Sequence, residues 1–187
     1  YEQIKLENIN EITIEVSKAR SWILNTLKIM ADKNQEIIKK DKKKYKAKVI
    51  LHFKNNKCVF NAKIRMTGDY RDHIYIKKNK IISSMKVELN SPGNIKGFTE
   101  FKLFNPIARY AENEVIHTTL LRKLKFLAPR TSFIKVNFLG YQFRMLLQEG
   151  INKELLESMG RVEAPIFEGD ETLLKLLPDN GLEKTSF

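Results

Sequence analysis

Residues 17–30 (SKARSWILNTLKIM) place Ala19, Ile23, Leu27 and Met30 three or four positions apart, which predicts a helix, with Ser17 set to cap its N-terminus. A second helical stretch is expected around 34–44. The period then shortens to two. KAKVILHF and CVFNAKIRM are both rich in β-forming residues, and Lys54-Asn55-Asn56-Lys57 between them is a turn signal, so 46–66 reads as a hairpin. Arg65-Met66-Thr67-Gly68-Asp69 ends its second strand. A polar stretch, YRDHIYIKKNK, leads to another strand, SSMKVEL. Asn90-Ser91-Pro92-Gly93-Asn94 is a turn, and 99–104 is a further short strand.

Pro106 opens a helical pattern in which Val115, Thr118, Thr119, Leu121, Leu124 and Lys125 follow mixed 3–4 spacing, and Ala128-Pro129 must stop it. SFIKVNFL and YQFRMLLQE on either side of Gly140 form a second hairpin, Gly150 breaks it, and 153–159 is a short helix. Helices, strands, one central helix, a hairpin and a last helix predict an α+β fold. Its sheet is mainly antiparallel, with one central helix and flanking helices. The expected organisation is a helical, lysine-rich extension over 1–45, an α+β domain over 46–150, and a helix with an acidic segment over 151–187.

Composition narrows the class. A chain of 187 residues can bury one substantial core, and 42% apolar with 30% charged residues excludes a disordered or collagen-like chain. The longest apolar runs are a handful of residues, too short for a transmembrane helix. A single cysteine, Cys58, rules out an intramolecular bridge and any metal site made of Cys pairs. The first residue is Tyr, which points to a chain that is trimmed or recorded without its start.

The net charge of +12 is uneven. Residues 28–57 carry +8, whereas 151–187 carry −4. Seven lysines fall between Lys39 and Lys48, with Tyr45 their only aromatic and no Arg among them. Single-strand binders usually interleave aromatics for stacking, so this run reads either as a solvated helix end entering a strand or as a contact for nucleic acid or an anionic surface.

Strong catalytic motifs are missing. There is no Gly-x-Gly-x-x-Gly, Walker loop or Gly-x-Ser-x-Gly elbow. His52, His73 and His117 are far apart and none has a carboxylate at ligand spacing, which argues against a histidine metal centre. Gly68-Asp69-Tyr70-Arg71-Asp72-His73 gathers two carboxylates and an imidazole, readable as an acid/base pair or as a plain turn. Lys63, Arg65 and Lys86 sit in or beside strands. Lys86, between Met85 and Val87, points to the opposite face from both. Such a strand lysine can reach a nucleotide phosphate with a helix carboxylate holding it, and Glu112 or Glu114 could supply that carboxylate. A surface lysine on an edge strand is the alternative.

From about residue 60 to 171 the chain resembles the CotH-like kinases, the atypical kinases that include spore-coat protein H. The matching pieces begin with Ala62-Lys63-Ile64-Arg65-Met66-Thr67-Gly68-Asp69, His73 and Ser84-Met85-Lys86-Val87. Gly97-Phe98, Phe101-x-Leu103, Pro106-x-x-Arg109 and Glu114 with Leu120-Leu121-Arg122 follow. Ala128-Pro129-Arg130, Val136–Gly140, Gln148-Glu149, Lys153–Glu157 and Arg161-x-Glu163-x-Pro165-Ile166 complete the series. Their order and spacing carry the likeness. The family usually has Asn-Gly in the hairpin turn, where this chain has Leu139-Gly140.

The resemblance implies a protein-kinase-like fold that binds ATP and Mg2+ and phosphorylates serine in secreted or surface proteins. The matched part would be the small lobe plus the hinge. Lys86 would contact phosphate, Glu114 would orient it, Arg65 would add a second cation, and Gln148-Glu149-Gly150 would lie in the hinge that meets adenine. Only 37 residues follow Gly150, with Asp170 and Asp179 but no His-Arg-Asp or Asp-Phe-Gly, so a complete transferase is not expected of this stretch. The same likeness suggests a cell or spore surface, while one cysteine fits a reducing cytoplasm equally. A non-catalytic basic binding module is the competing expectation.

Overall fold

The computed structural model describes residues 9–33, 36–77, 80–90 and 99–167. Their centre is a closed barrel of seven strands: β1 (Glu11–Val16), β2 (Tyr45–His52), β3 (Lys57–Met66), β6 (Met85–Leu89), β7 (Glu100–Phe104), β9 (Tyr141–Glu149) and β8 (Thr131–Phe138), in that order around the wall. Between β3 and β6 the chain makes a separate hairpin, β4 (Ile74–Lys77) and β5 (Lys80–Ser83). The helices are α1 (Ala19–Ala31), α2 (Glu112–Lys123) and α3 (Lys153–Ser158).

This corrects the expected kinase-small-lobe α+β fold. The antiparallel hairpins 46–66 and 131–149 are present, but the sheet does not end in free edges. The strand that changes the architecture is β1. EITIEV alternates polar and apolar residues, and Ile12 and Ile14 are buried. It pairs antiparallel with β2 (Ile14 opposite Val49) and parallel with β8 (Ile12 opposite Val136), so both edges are joined. Closure removes the exposed donors and acceptors that an open edge would present. The stretch expected as a helical extension thus supplies a wall strand and a plug.

Strand alternation builds the interior from Ile12, Ile14, Val49, Leu51, Ile64, Val87, Phe101, Leu103, Val136 and Met145. Trp22 of α1 closes one mouth, edge-on to Tyr45 at 5.2 Å and to Phe138 at 5.5 Å. The inward face of α1 is Trp22, Asn25, Thr26 and Ile29, whereas the expected Leu27 lies outward. Ser17 does not cap this helix; its hydroxyl donates to the Lys46 carbonyl at 2.9 Å. The helix expected around 34–44 is, among the described residues, a 3-10 turn at Lys39–Asp41. Asp41 is buried there, its carbonyl accepting from Asn25 at 2.8 Å.

The helical pattern after Pro106 is divided. A 3-10 turn covers Pro106–Arg109, then Tyr110 and Ala111 take positive φ before α2 begins. At the β8–β9 turn Leu139 (φ 52°) and Gly140 (φ 78°) are both left-handed. That two-residue geometry is the one favouring Asn-Gly, so Leu139 adopts it at a conformational cost. The expected turn at 91–94, Gly97-Phe98, Asp170 and Asp179 lie outside the described residues.

Candidate functional site

The barrel register gathers most of the residues that the sequence singled out. Arg65 on β3 lies opposite Lys86 on β6, Lys86 opposite Lys102 on β7, and Lys102 opposite Gln148 on β9. Gln148 in turn faces Thr131 on β8. Their chain neighbours Ile64, Met66, Met85, Val87, Phe101, Leu103 and Leu147 are core, so the row runs along the outer wall.

Lys86 is held between carboxylates. Its Nζ is 2.6 Å from Glu100 and 3.7 Å from Glu88, and 17% of its side chain is exposed. Glu88 also accepts from Lys44 at 2.8 Å. Burial opposes ionisation of Glu88, but the Lys44 hydrogen bond and charge, with Lys86 and Arg65 nearby, outweigh it and hold the carboxyl below its ordinary range. Lys44, Arg65, Lys86 and Lys102 thus lie around two carboxylates, Glu88 and Glu100. The Nε of Arg65 is buried without a hydrogen-bond partner. Further along β7, on the same wall, Phe104 carries the Arg109 guanidinium 4.6 Å from its ring centroid, and the Arg109 Nε is likewise buried and unpaired. Arg109 thus extends the cationic row.

Glu114 reaches this row at its other end. Gln148 Nε2 donates to Glu114 at 2.7 Å and to Thr131 at 3.3 Å. The carboxylates on Lys86 come from β6 and β7, so Glu114 orients Gln148 and not the lysine. Glu149 points the other way. It is fully buried and takes Arg130 in a two-point pair, with Nε at 2.9 Å and a terminal nitrogen at 2.6 Å. The amides of Glu149 and Gly150 donate to the carbonyls of Arg130 and Glu100, each at 3.0 Å. The expected hinge is therefore tied into the sheet through both donors. A Cβ on Gly150 would sit 2.8 Å from the Glu100 carbonyl oxygen, which explains the glycine.

The loop at Asp69–His73 does not form an acid/base pair. His73 is buried, and its Nδ1 lies 2.9 Å from the Ser84 hydroxyl. Burial pushes its pKa below the ordinary value; Asp72 opposes that shift and Arg109 adds to it. Asp69 accepts from Lys42 at 2.7 Å, and the Asp72 carbonyl accepts from Asn105 at 3.1 Å. Gly68 (φ 98°) is required because a Cβ there would collide with the His73 ring.

The lysine run divides by partner. Lys42 and Lys44 are spent on Asp69 and Glu88. Lys46 and Lys48 face outward on β2, and Lys46 stands directly opposite exposed Lys63 on β3. Among the described residues no three His, Cys, Asp or Glu side chains converge as a metal site. The facing carboxylates Glu88 and Glu100 hold Lys86 between them, so these residues do not offer Mg2+ a ligand set. No helix among them is long and apolar enough to cross a membrane.

By fold and site this is a closed β-barrel with a cationic row on its outer wall. A scan of protein-family models matches nothing, and a search of characterised proteins finds no match either.

Sequence reading missed Lys102, Glu88 and Glu100, and it named Arg109 only as part of the resemblance, with no role. The alternation in MKVEL and EFKLF put the first three on one face. Which strands lie side by side is a tertiary fact that no spacing within a strand encodes.

Proposed function

We propose that the chain binds a phosphate-bearing ligand along the Arg65–Lys86–Lys102 row. By its resemblance to CotH-like kinases, that ligand is the phosphate chain of ATP. The observation that carries the reading is three cations in consecutive cross-strand positions. Like charges directly opposite one another are destabilising. A bound anion removes that cost. Lys86 and Arg65 are also partly covered, so an anion there meets less screening than at an open surface. The reading stops at binding: no transfer to serine and no metal step is assigned to these residues.

The test is calorimetric titration of the intact protein with ATP and with tripolyphosphate. Lys86→Ala should weaken both by roughly 10- to 100-fold, the scale of one charge-assisted hydrogen bond of about 1.5–3 kcal/mol. An unchanged affinity would refute the role given to Lys86.

The Lys46–Lys63 pair, with Lys48 beside it, favours a second reading, a non-catalytic module that holds polyanions. Such binding falls steeply with salt. Failure to detect duplex DNA, RNA or polyphosphate binding even at low ionic strength would end that reading.

A further inference from the structure

The outer face of α2 is built to meet something. Among the described residues this helix buries only Thr118, and Val115 and Leu121 are half-buried. Ile116, Leu120 and Leu124, four residues apart and so on one stripe, are 64%, 52% and 59% exposed. Exposed Tyr110 precedes the helix and exposed Phe126 follows it. Single exposed apolar residues need no explanation, but a contiguous stripe flanked by two aromatics does.

We propose that this face joins a second copy of the chain, the two α2 helices packing antiparallel across a two-fold axis level with Thr118. The patch complements itself. An isologous contact must supply both halves of every interaction from one patch. Such an axis pairs positions equally far before and after Thr118. Ile116 then meets the partner's Leu120, and Tyr110 meets the partner's Phe126. The charges match the same operation. Glu112 and Glu114 stand in the first turn and Arg122 and Lys123 in the last, so the acidic end of one helix lies over the basic end of the other. Glu112 and Lys123 are the exposed members, Glu112 standing 3.6 Å from Arg144 of its own chain, whereas Glu114 is taken by Gln148 and Arg122 by the Ala128 carbonyl. The chain as a whole carries +12, which makes most faces repel a second copy. Along α2 those four charges balance, so the helix itself adds no net charge to the contact.

The test is the mass of the full chain by sedimentation equilibrium over a concentration series, with circular dichroism confirming that each variant is folded. The mass should rise from 21.9 kDa toward twice that value. Leu120→Lys should weaken association by about tenfold or more, as expected for an apolar anchor. Glu112→Lys and Lys123→Glu should each weaken it, and the two together should restore it. That rescue does not depend on Leu120→Lys folding. A mass of 21.9 kDa at every concentration overturns the proposal. So does a dimer indifferent to Leu120→Lys, or a double charge variant no stronger than the singles.

Discussion

α1 and α2 have nearly equal lengths, 13 and 12 residues, and opposite fates. α1 turns its bulk inward. Trp22 is fully buried and Ile29 nearly so, while Asn25 and Thr26 satisfy their polar atoms on the Asp41 and Trp22 carbonyls. α2 lies across the outside of β8 and β9 and turns Ile116, Leu120 and Leu124 away from them. A barrel fills its interior from its own strands and needs a helix only at an open mouth. A helix laid on the wall finds a row already occupied by polar groups such as Gln148 and Thr131, and it settles on those instead. Apolar content therefore does not say which helix belongs to the core. Position relative to the barrel mouth does.

The largest effect expected from this contrast is at the plug. Trp22→Ala should cost about 3–5 kcal/mol, read as a shift in the urea midpoint at unchanged slope. Trp22→Phe should cost much less, because the indole Nε1 is buried without a partner and makes no bond to lose. A loss below about 1 kcal/mol for Trp22→Ala would mean that the barrel closes without its plug, and the contrast between the helices would fall. Next comes the opposite mouth. Arg130→Ala leaves the fully buried Glu149 carboxylate unpaired and should cost about 3 kcal/mol. Arg130→Ala with Glu149→Met together should recover much of that loss. If the double variant is no better than the single, the arginine acts by packing rather than by charge.

Local elements were legible in the sequence wherever a single strand or turn carried its own signal. The hairpins of 46–66 and 131–149, the strand at MKVEL and the helix beginning at Lys153 all stand as their periodicity reads. Closure was not legible. EITIEV is a plain alternating strand, but its two partners are about 35 and 125 residues away, and nothing local marks them. The same limit applies to the site. Arg65 and Lys86 could be picked out as strand cations. That they are neighbours, that Glu100 rather than Glu114 holds Lys86, and that Lys102 completes the row depend on which strands lie side by side. Ser17 misled for a different reason: a serine ahead of an apolar period suggests a cap, but β2 offered its hydroxyl the Lys46 carbonyl first.

A smaller effect separates the covered loop from the exposed wall. The Asn105 amide donates to the Ser84 hydroxyl, which leaves the hydroxyl proton for His73 Nδ1, so the arrangement suits a neutral ring. Because the folded pKa of His73 lies below that of the unfolded chain, unfolding takes up a proton at mildly acidic pH. The stability it contributes is complete above the unfolded value of about 6.5 and is lost as pH falls from there through the depressed folded value. Urea midpoints for the native chain should drop between about pH 7.5 and 5.5, and His73→Gln should flatten that slope. A native chain with equal midpoints at the two ends would show that the ring titrates normally in the fold.

The smallest effect is also the sharpest form of the comparison, because it holds the chemistry constant. Ile29 on α1 and Ile116 on α2 are the same side chain on helices of nearly the same length, with 3% and 64% exposure. Ile29→Ala opens a cavity against the barrel and should cost about 2–5 kcal/mol. Ile116→Ala removes a side chain that the fold does not bury, and Ala forms helix better than the β-branched residue by a few tenths of a kcal/mol. Measured at a dilution where the chain is monomeric, its stability should stay within about 0.5 kcal/mol of the native value, with the sign leaning toward a gain. A loss near 2 kcal/mol in the monomer would mean that Ile116 is packed by residues of its own chain. The outer face of α2 would then be part of the fold, and the two helices would differ only in what they rest on.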